Sequence, residues 1–94
     1  MELQKCIHQN NMKKVLTIEY SEDEEMIELH LNKKGAEFLR NYLSQLIEKN
    51  SDNDSHWMTP NWGGDELSDD QQNLNCDIKL INHLKIMYWQ DKDE

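Results

Sequence analysis

One stretch of helical periodicity lies between segments whose side chains alternate in polarity, and this order constrains the fold most. Across residues 33–49, apolar side chains recur at helical spacing at Ala36, Leu39, Tyr42, Leu43, Leu46 and Ile47. Asn32 precedes the stretch as a favourable N-cap, and Asn50 follows it as a left-handed C-cap. The pattern predicts one amphipathic helix whose single apolar stripe is buried against a sheet.

The flanking segments alternate with a period of two, which predicts β-strands. Residues 15–20 and residues 26–31 form a predicted hairpin. In the first strand, one face carries Leu16, Ile18 and Tyr20, and the other, wetter face carries Val15, Thr17 and Glu19. Residues 56–58 are predicted as a short strand before Pro60, and residues 78–89 as the last strand.

These elements predict one α+β domain over residues 1–94, of order ββαββ. In this fold a small antiparallel sheet carries one amphipathic helix on one face. Residues 1–12 are weakly patterned, with an alternation like that of a short edge strand. Residues 61–77 form a long polar connection, and connections of this length are either functional or poorly ordered.

The charge balance limits the classes of partner. Nineteen Asp and Glu against ten Lys and Arg give a net charge of -9, which repels nucleic acid and anionic lipid but complements a basic protein. No apolar run is long enough to span a bilayer, and residues 1–10 lack the apolar core of a secretion signal. A cytoplasmic location is therefore expected, with Cys6 and Cys76 as free thiols.

The sequence has no pattern typical of catalysis or of a cofactor site. No nucleophile is spaced with a base, and Asp65 and Glu66 are neighbours in a predicted loop that point apart, so no enzyme activity is expected. Gly63 and Gly64 have neither the GxGxxG order nor a Walker lysine. Ligand spacing for a metal is also missing among the four histidines, which are His8, His30, His56 and His83. Neither a metal nor a cofactor is therefore expected.

Residues 56–68 are the most unusual segment, because they hold two Trp, the only Pro and two of the three Gly. Paired glycines permit close approach, and tryptophan offers a large contact area, so the segment is either a recognition loop or a structural turn with Trp62 as a core plug. The predicted partner-binding residues here are Trp57, Trp62, Gly63, Gly64, Asp65, Glu66, Asp69 and Asp70. A second acidic tract, either a solvated hairpin tip or an aid to association, comprises Glu22, Asp23, Glu24 and Glu25.

Two strings carry a resemblance to a known family. MTPNWGGDELS at residues 58–68 and LINHLKI at residues 80–86 follow a strand pair and a helix opening LNKKG at residues 31–35. In this order they resemble the bacterial immunity protein 32 family, over roughly residues 15–88. Members are associated with polymorphic toxin systems, in which a small cytoplasmic protein neutralises a toxin encoded beside it. The resemblance implies a non-enzymatic toxin inhibitor, and the negative charge favours a basic, nuclease-like toxin.

Two other functions stay open from the residues alone. One is a small-ligand or metal-sensing module, with the Gly63-Gly64 loop as a lid and histidines as ligands. The other is a self-associating structural domain, a homodimer whose edge strands pair across a two-fold axis. The exposure of Trp62 separates the binding role of its loop from the structural one, since an anchor for a partner must reach solvent.

Overall fold

The computed structural model describes residues 13–74 and 77–91, so the predicted strand within residues 1–12 lies outside the described residues, as do Cys6, His8 and Cys76. The elements are β1 (Leu16–Ser21), β2 (Met26–Leu31), α1 (Lys33–Lys49), β3 (Asn53–Met58), a 3-10 turn (Pro60–Trp62), β4 (Ile78–Leu80) and β5 (His83–Tyr88). The predicted α+β class and the order of strands around one helix are confirmed.

The strands form two antiparallel sheets where the sequence predicted one. Three strands pair in the order β2-β1-β4, and β3 pairs with β5. The last predicted strand is divided at Ile81 and Asn82. Ile81 N donates to Ile18 O at 2.8 Å, and Asn82 O then accepts from Thr59 N at 3.1 Å. The chain thus leaves β1 for the end of β3, and the ladder changes partner within two residues.

Helix α1 has the predicted bounds and both predicted caps. Asn32 Oδ1 accepts from Gly35 N at 2.9 Å and also from Val15 N at 2.9 Å, so the cap joins the helix to the start of β1. Asn50 adopts the left-handed conformation with φ 46°, and its N–H donates to Leu46 O at 2.8 Å. No helix in the described part of the chain is both long and apolar enough to cross a membrane.

The buried stripe of α1 differs from the predicted one. It comprises Gly35, Phe38, Leu39, Tyr42 and Leu46, of which Gly35 and Leu46 are fully buried. The helix lies against Trp57 of β3, whose ring centroid is 5.2 Å from that of Phe38 and 4.8 Å from that of Tyr42. This placement leaves Leu43 43% and Ile47 69% exposed, although their spacing predicted burial.

The core is built around β1, both faces of which are buried. Leu16 and Ile18 pack with Trp57 and Leu67 on one face. The other face was predicted to be the more solvent-exposed one, and this prediction is wrong, because Thr17 and Glu19 are both 0% exposed. Residues 68–73, called the strap below, run along β1 and cover Thr17 and Glu19 on that face.

The strap is held to β1 by hydrogen bonds. Ser68 N donates to Leu16 O at 2.9 Å, and the Ser68 hydroxyl accepts from Leu16 N and donates to Lys14 O, each at 2.9 Å. Thr17 Oγ1 donates to Asp70 O at 3.0 Å. The described part of the long polar connection is therefore an ordered cover for the first strand.

Candidate partner-binding surface

The chain bends sharply after β3 and presents Trp62 to solvent. Residues 59–66, called the elbow below, begin at the buried Thr59, the N-cap of the 3-10 turn. Trp62 N donates to Thr59 O at 2.9 Å, and Gly63 N donates to Pro60 O at 3.0 Å. Trp62 is 57% exposed. The structural alternative, in which this ring is a core plug, is therefore wrong.

The two glycines of the elbow give it its shape. Gly63 has φ +91°, in the left-handed region that side chains rarely adopt. At Gly64 an added Cβ would lie 2.6 Å from Met58 O, a backbone atom that cannot move aside cheaply. Both predicted partner-binding glycines therefore have a conformational role in the elbow.

Side-chain contacts fix the elbow to β3 and to the segment that precedes β1. Glu66 Oε1 accepts from Met58 N at 3.2 Å. Lys14 Nζ donates to Asp65 O at 2.9 Å and to Glu66 O at 2.8 Å, and it lies 3.9 Å from the centroid of the Phe38 ring. Desolvation by burial lowers the pKa of Lys14, against the opposing attraction of the Asp65 and Glu66 carboxylates. Glu66 thus has a structural contact, whereas Asp65 is an exposed residue.

Trp57 was predicted as a partner contact, and the structure places it in the core instead. It is 4% exposed, and the rings of Phe38 and Tyr42 pack against it. Alternation along β3 explains the outcome, because Trp57 faces the helix while the neighbouring His56 is exposed. Trp57 is therefore a core residue and is not exposed to a partner in this conformation.

The predicted acidic residues lie in two separate places. Asp69 is exposed beside the elbow, and Asp70 is half-buried there with its Oδ2 3.1 Å from Lys13 Nζ. Residues 22–25 form the exposed turn between β1 and β2, with Glu25 at φ 50°. β1 separates the two places, because the strap joins Leu16 at its start and the acidic turn follows its end. The structure does not bring the two acidic groups together.

The structure also has an apolar groove of about 380 Å³ on the Leu16 and Ile18 face of β1. Residues of β1, β2, α1 and the β3-β5 sheet line it, among them Ile18, Tyr20, Ile27, Leu29, Leu39 and Leu84. His83 lines the groove and its ring centroid is 5.9 Å from that of Trp62, so the groove lies next to the elbow. The sequence-based reasoning missed this groove, although the alternation of apolar residues in β2 was its signal.

Histidines also make side-chain contacts in the structure, at two positions. His56 Nδ1 lies 2.8 Å from His83 Nε2 beside the elbow. Within residues 13–74 and 77–91, one group of three metal-ligating side chains has its ligand atoms within 4.8 Å of one another, and it comprises Glu19, Glu28 and His30. His30 Nε2 lies 2.8 Å from Glu28 Oε1 and 3.5 Å from Glu19 Oε1. This group is on β1 and β2.

Both oxygens of the Glu19 carboxylate accept hydrogen bonds from the strap. Gln72 N donates to Oε2 at 2.5 Å, and the Asn73 side-chain amide donates to Oε1 at 2.9 Å. The same amide donates to Glu28 Oε1 at 2.7 Å, so it lies between the two carboxylates. These contacts explain how a completely buried acid is stabilised. The Glu19 carboxylate therefore anchors the strap to β1.

Replacing Glu19 with glutamine is expected to lower the free energy of unfolding by about 1–3 kcal/mol. The amide keeps the shape of the carboxylate but turns one acceptor into a donor facing the Gln72 N–H or the Asn73 amide. Urea unfolding of the two proteins measures the loss. The matched control is Glu28→Gln, at a side chain 31% exposed, for which a smaller loss is expected. Equal losses would show that burial of Glu19 is not what holds the strap.

Comparison with known proteins gives no assignment. No family model, no curated protein and no solved structure matches the chain. The resemblance to the immunity protein 32 family therefore stays a prediction, and the function has to be inferred from the elbow, the groove and the charge.

Proposed function

We propose that the protein is a non-enzymatic immunity protein that binds and neutralises a basic, nuclease-like toxin. The single observation that carries the proposal is the exposure of Trp62, at 57%, on an elbow fixed by backbone hydrogen bonds. Tryptophan is enriched among the residues that dominate interface energies. A loop that is ordered before it binds loses little conformational entropy on association. The elbow therefore has the properties of a preformed anchor.

The charge of the chain supports a basic partner. The net charge is -9, and exposed acids lie beside the anchor at Asp65 and Asp69 and in the turn at residues 22–25. Exposed charges act over about 8 Å at physiological salt, so they speed the encounter more than they hold the complex. We therefore expect Trp62 to determine mainly the dissociation rate and the exposed acids to determine mainly the association rate.

We expect Trp62→Ala to weaken binding of the toxin domain encoded beside the gene by roughly 30- to 1,000-fold, mainly through faster dissociation. Surface plasmon resonance with the purified toxin domain measures both rates. The matched control is Trp89→Ala, because Trp89 is 66% exposed and lies after β5, away from the elbow. Unchanged binding by the Trp62 variant would show that Trp62 is not the anchor. No binding by the wild-type chain would refute the immunity function.

A further inference from the structure

We infer that the groove between α1 and the β1-β2 hairpin takes an apolar segment of the toxin flanked by Lys or Arg. This inference rests on the proposed function and assigns a second contact to the same complex. It concerns a surface that is separate from Trp62 but lies next to it at His83.

The groove is open along one side. Ile27 is 68% and Leu29 is 48% exposed on β2, which is an edge strand of its sheet. On the opposite side, Leu39 lines the groove, and Leu43 and Ile47 follow it at intervals of four residues. Residues so spaced lie on one face of a helix, so the exposed apolar surface continues along α1. Contiguous apolar surface of this kind marks an interaction site more often than scattered exposed residues do.

The two ends of the groove match the chemistry proposed for the partner. Tyr20 and Ile27 line one end, and one further pair, Ser21 and Met26, separates them from the acidic turn at residues 22–25. His83 lies at the other end, next to Trp62. A segment lying in the groove therefore meets carboxylates at one end and the aromatic anchor at the other. A toxin segment with basic residues at the first end and apolar side chains along the groove therefore complements the acidic turn and the apolar lining.

A second copy of this chain fits the groove less well than a basic segment does. Each copy carries a net charge of -9, so pairing two copies brings acidic surfaces together. An enclosed small ligand also fits less well. The volume of about 380 Å³ lies within the roughly 300–1,000 Å³ of ligand pockets, but the β2 side is exposed to solvent. An open apolar wall suits side chains that project from a protein surface.

The test compares two double variants of the full chain in binding to the toxin domain encoded beside the gene. Ile27→Asn with Leu29→Asn changes the groove, and Leu74→Asn with Met87→Asn changes two exposed apolar residues outside it. All four side chains are at least 46% exposed, so both variants are expected to fold, which circular dichroism checks. We expect the groove variant to bind roughly 10- to 100-fold more weakly and the control to bind within about twofold of wild type.

Hydrogen exchange on the wild-type complex supplies a second measurement. We expect the outward-facing amides of β2 to exchange more slowly when the toxin domain is bound. Undiminished binding by the groove variant overturns the groove inference while leaving Trp62 as the anchor, whereas no binding by wild type overturns the proposed function itself. Sedimentation of the free protein gives the remaining outcome. A wild-type dimer that the groove variant abolishes would assign the groove to a second copy and overturn the inference.

Discussion

Gly35→Ala is expected to destabilise the protein by about 3 kcal/mol or more, although alanine ordinarily stabilises a helix over glycine by about 1 kcal/mol. A Cβ at this position would lie 1.7 Å from Val15 O and 2.8 Å from Val15 C. Both are backbone atoms of the segment leading into β1, which the Asn32 cap holds against the first turn of α1. The helix and β1 cannot separate without breaking that cap.

Urea unfolding of the Gly35 variant measures the loss. Ala36→Gly is the matched control, since Ala36 is the next residue in the helix and is exposed, and only the helix-propensity cost of about 1 kcal/mol is expected there. A Gly35 variant as stable as wild type would mean that α1 does not approach the start of β1 so closely.

Trp57→Ala is expected to cost about 3–5 kcal/mol, the usual range for removing a buried aromatic side chain. Small domains are stable by about 5–15 kcal/mol, so the variant loses a large part of its stability. The Trp57 ring is 4% exposed and packs against the rings of Phe38 and Tyr42, so its removal leaves a cavity in the core. Thermal unfolding followed by circular dichroism measures the shift.

Trp62→Ala is the control of identical chemistry for that experiment. Because Trp62 is 57% exposed, its replacement is expected to change stability by no more than about 0.5 kcal/mol. Replacement of Trp57 is thus expected to affect folding, whereas replacement of Trp62 is expected to affect binding. Similar losses of stability in the two variants would contradict the placement of Trp62 at the surface.

Local sequence signals predicted the helix and the hairpin well. Asn32 and Asn50 mark the ends of α1 because capping depends on a few neighbouring residues. Strand alternation over residues 26–31 matched β2 in full. The same local reasoning shortened β3, because residues 53–55 are polar and extend the strand only by pairing with residues 86–88.

Contacts between distant residues explain what the sequence did not predict. Glu19 alternates with apolar residues as a solvent-facing strand residue does, and it is buried by a strap 53 residues further on. Trp57 and Trp62 stand in one short segment, and only the packing of α1 on β3 separates their roles. The break between β4 and β5 depends in the same way on Thr59 and Ile18, which lie on other elements.

The groove follows from the width of a helix relative to a sheet. A helix is about 10–12 Å across and strands lie about 4.8 Å apart, so one helix covers about two strands. This protein has five strands and one helix in its described residues. Since α1 packs on Trp57 of β3, the apolar face of β2 is left without a cover. This uncovered strand was not predicted from the sequence.

The strap over β1 also sets an order in time. The residues that complete the hydrogen bonding of β1, Ser68 to Asn73, are synthesised about fifty residues after β1 itself. During synthesis on the ribosome, the carboxylate of Glu19 and the backbone of Leu16 must stay hydrated until that later stretch emerges. Folding of β1 on the nascent chain therefore has to wait until residues 68–73 have left the ribosome.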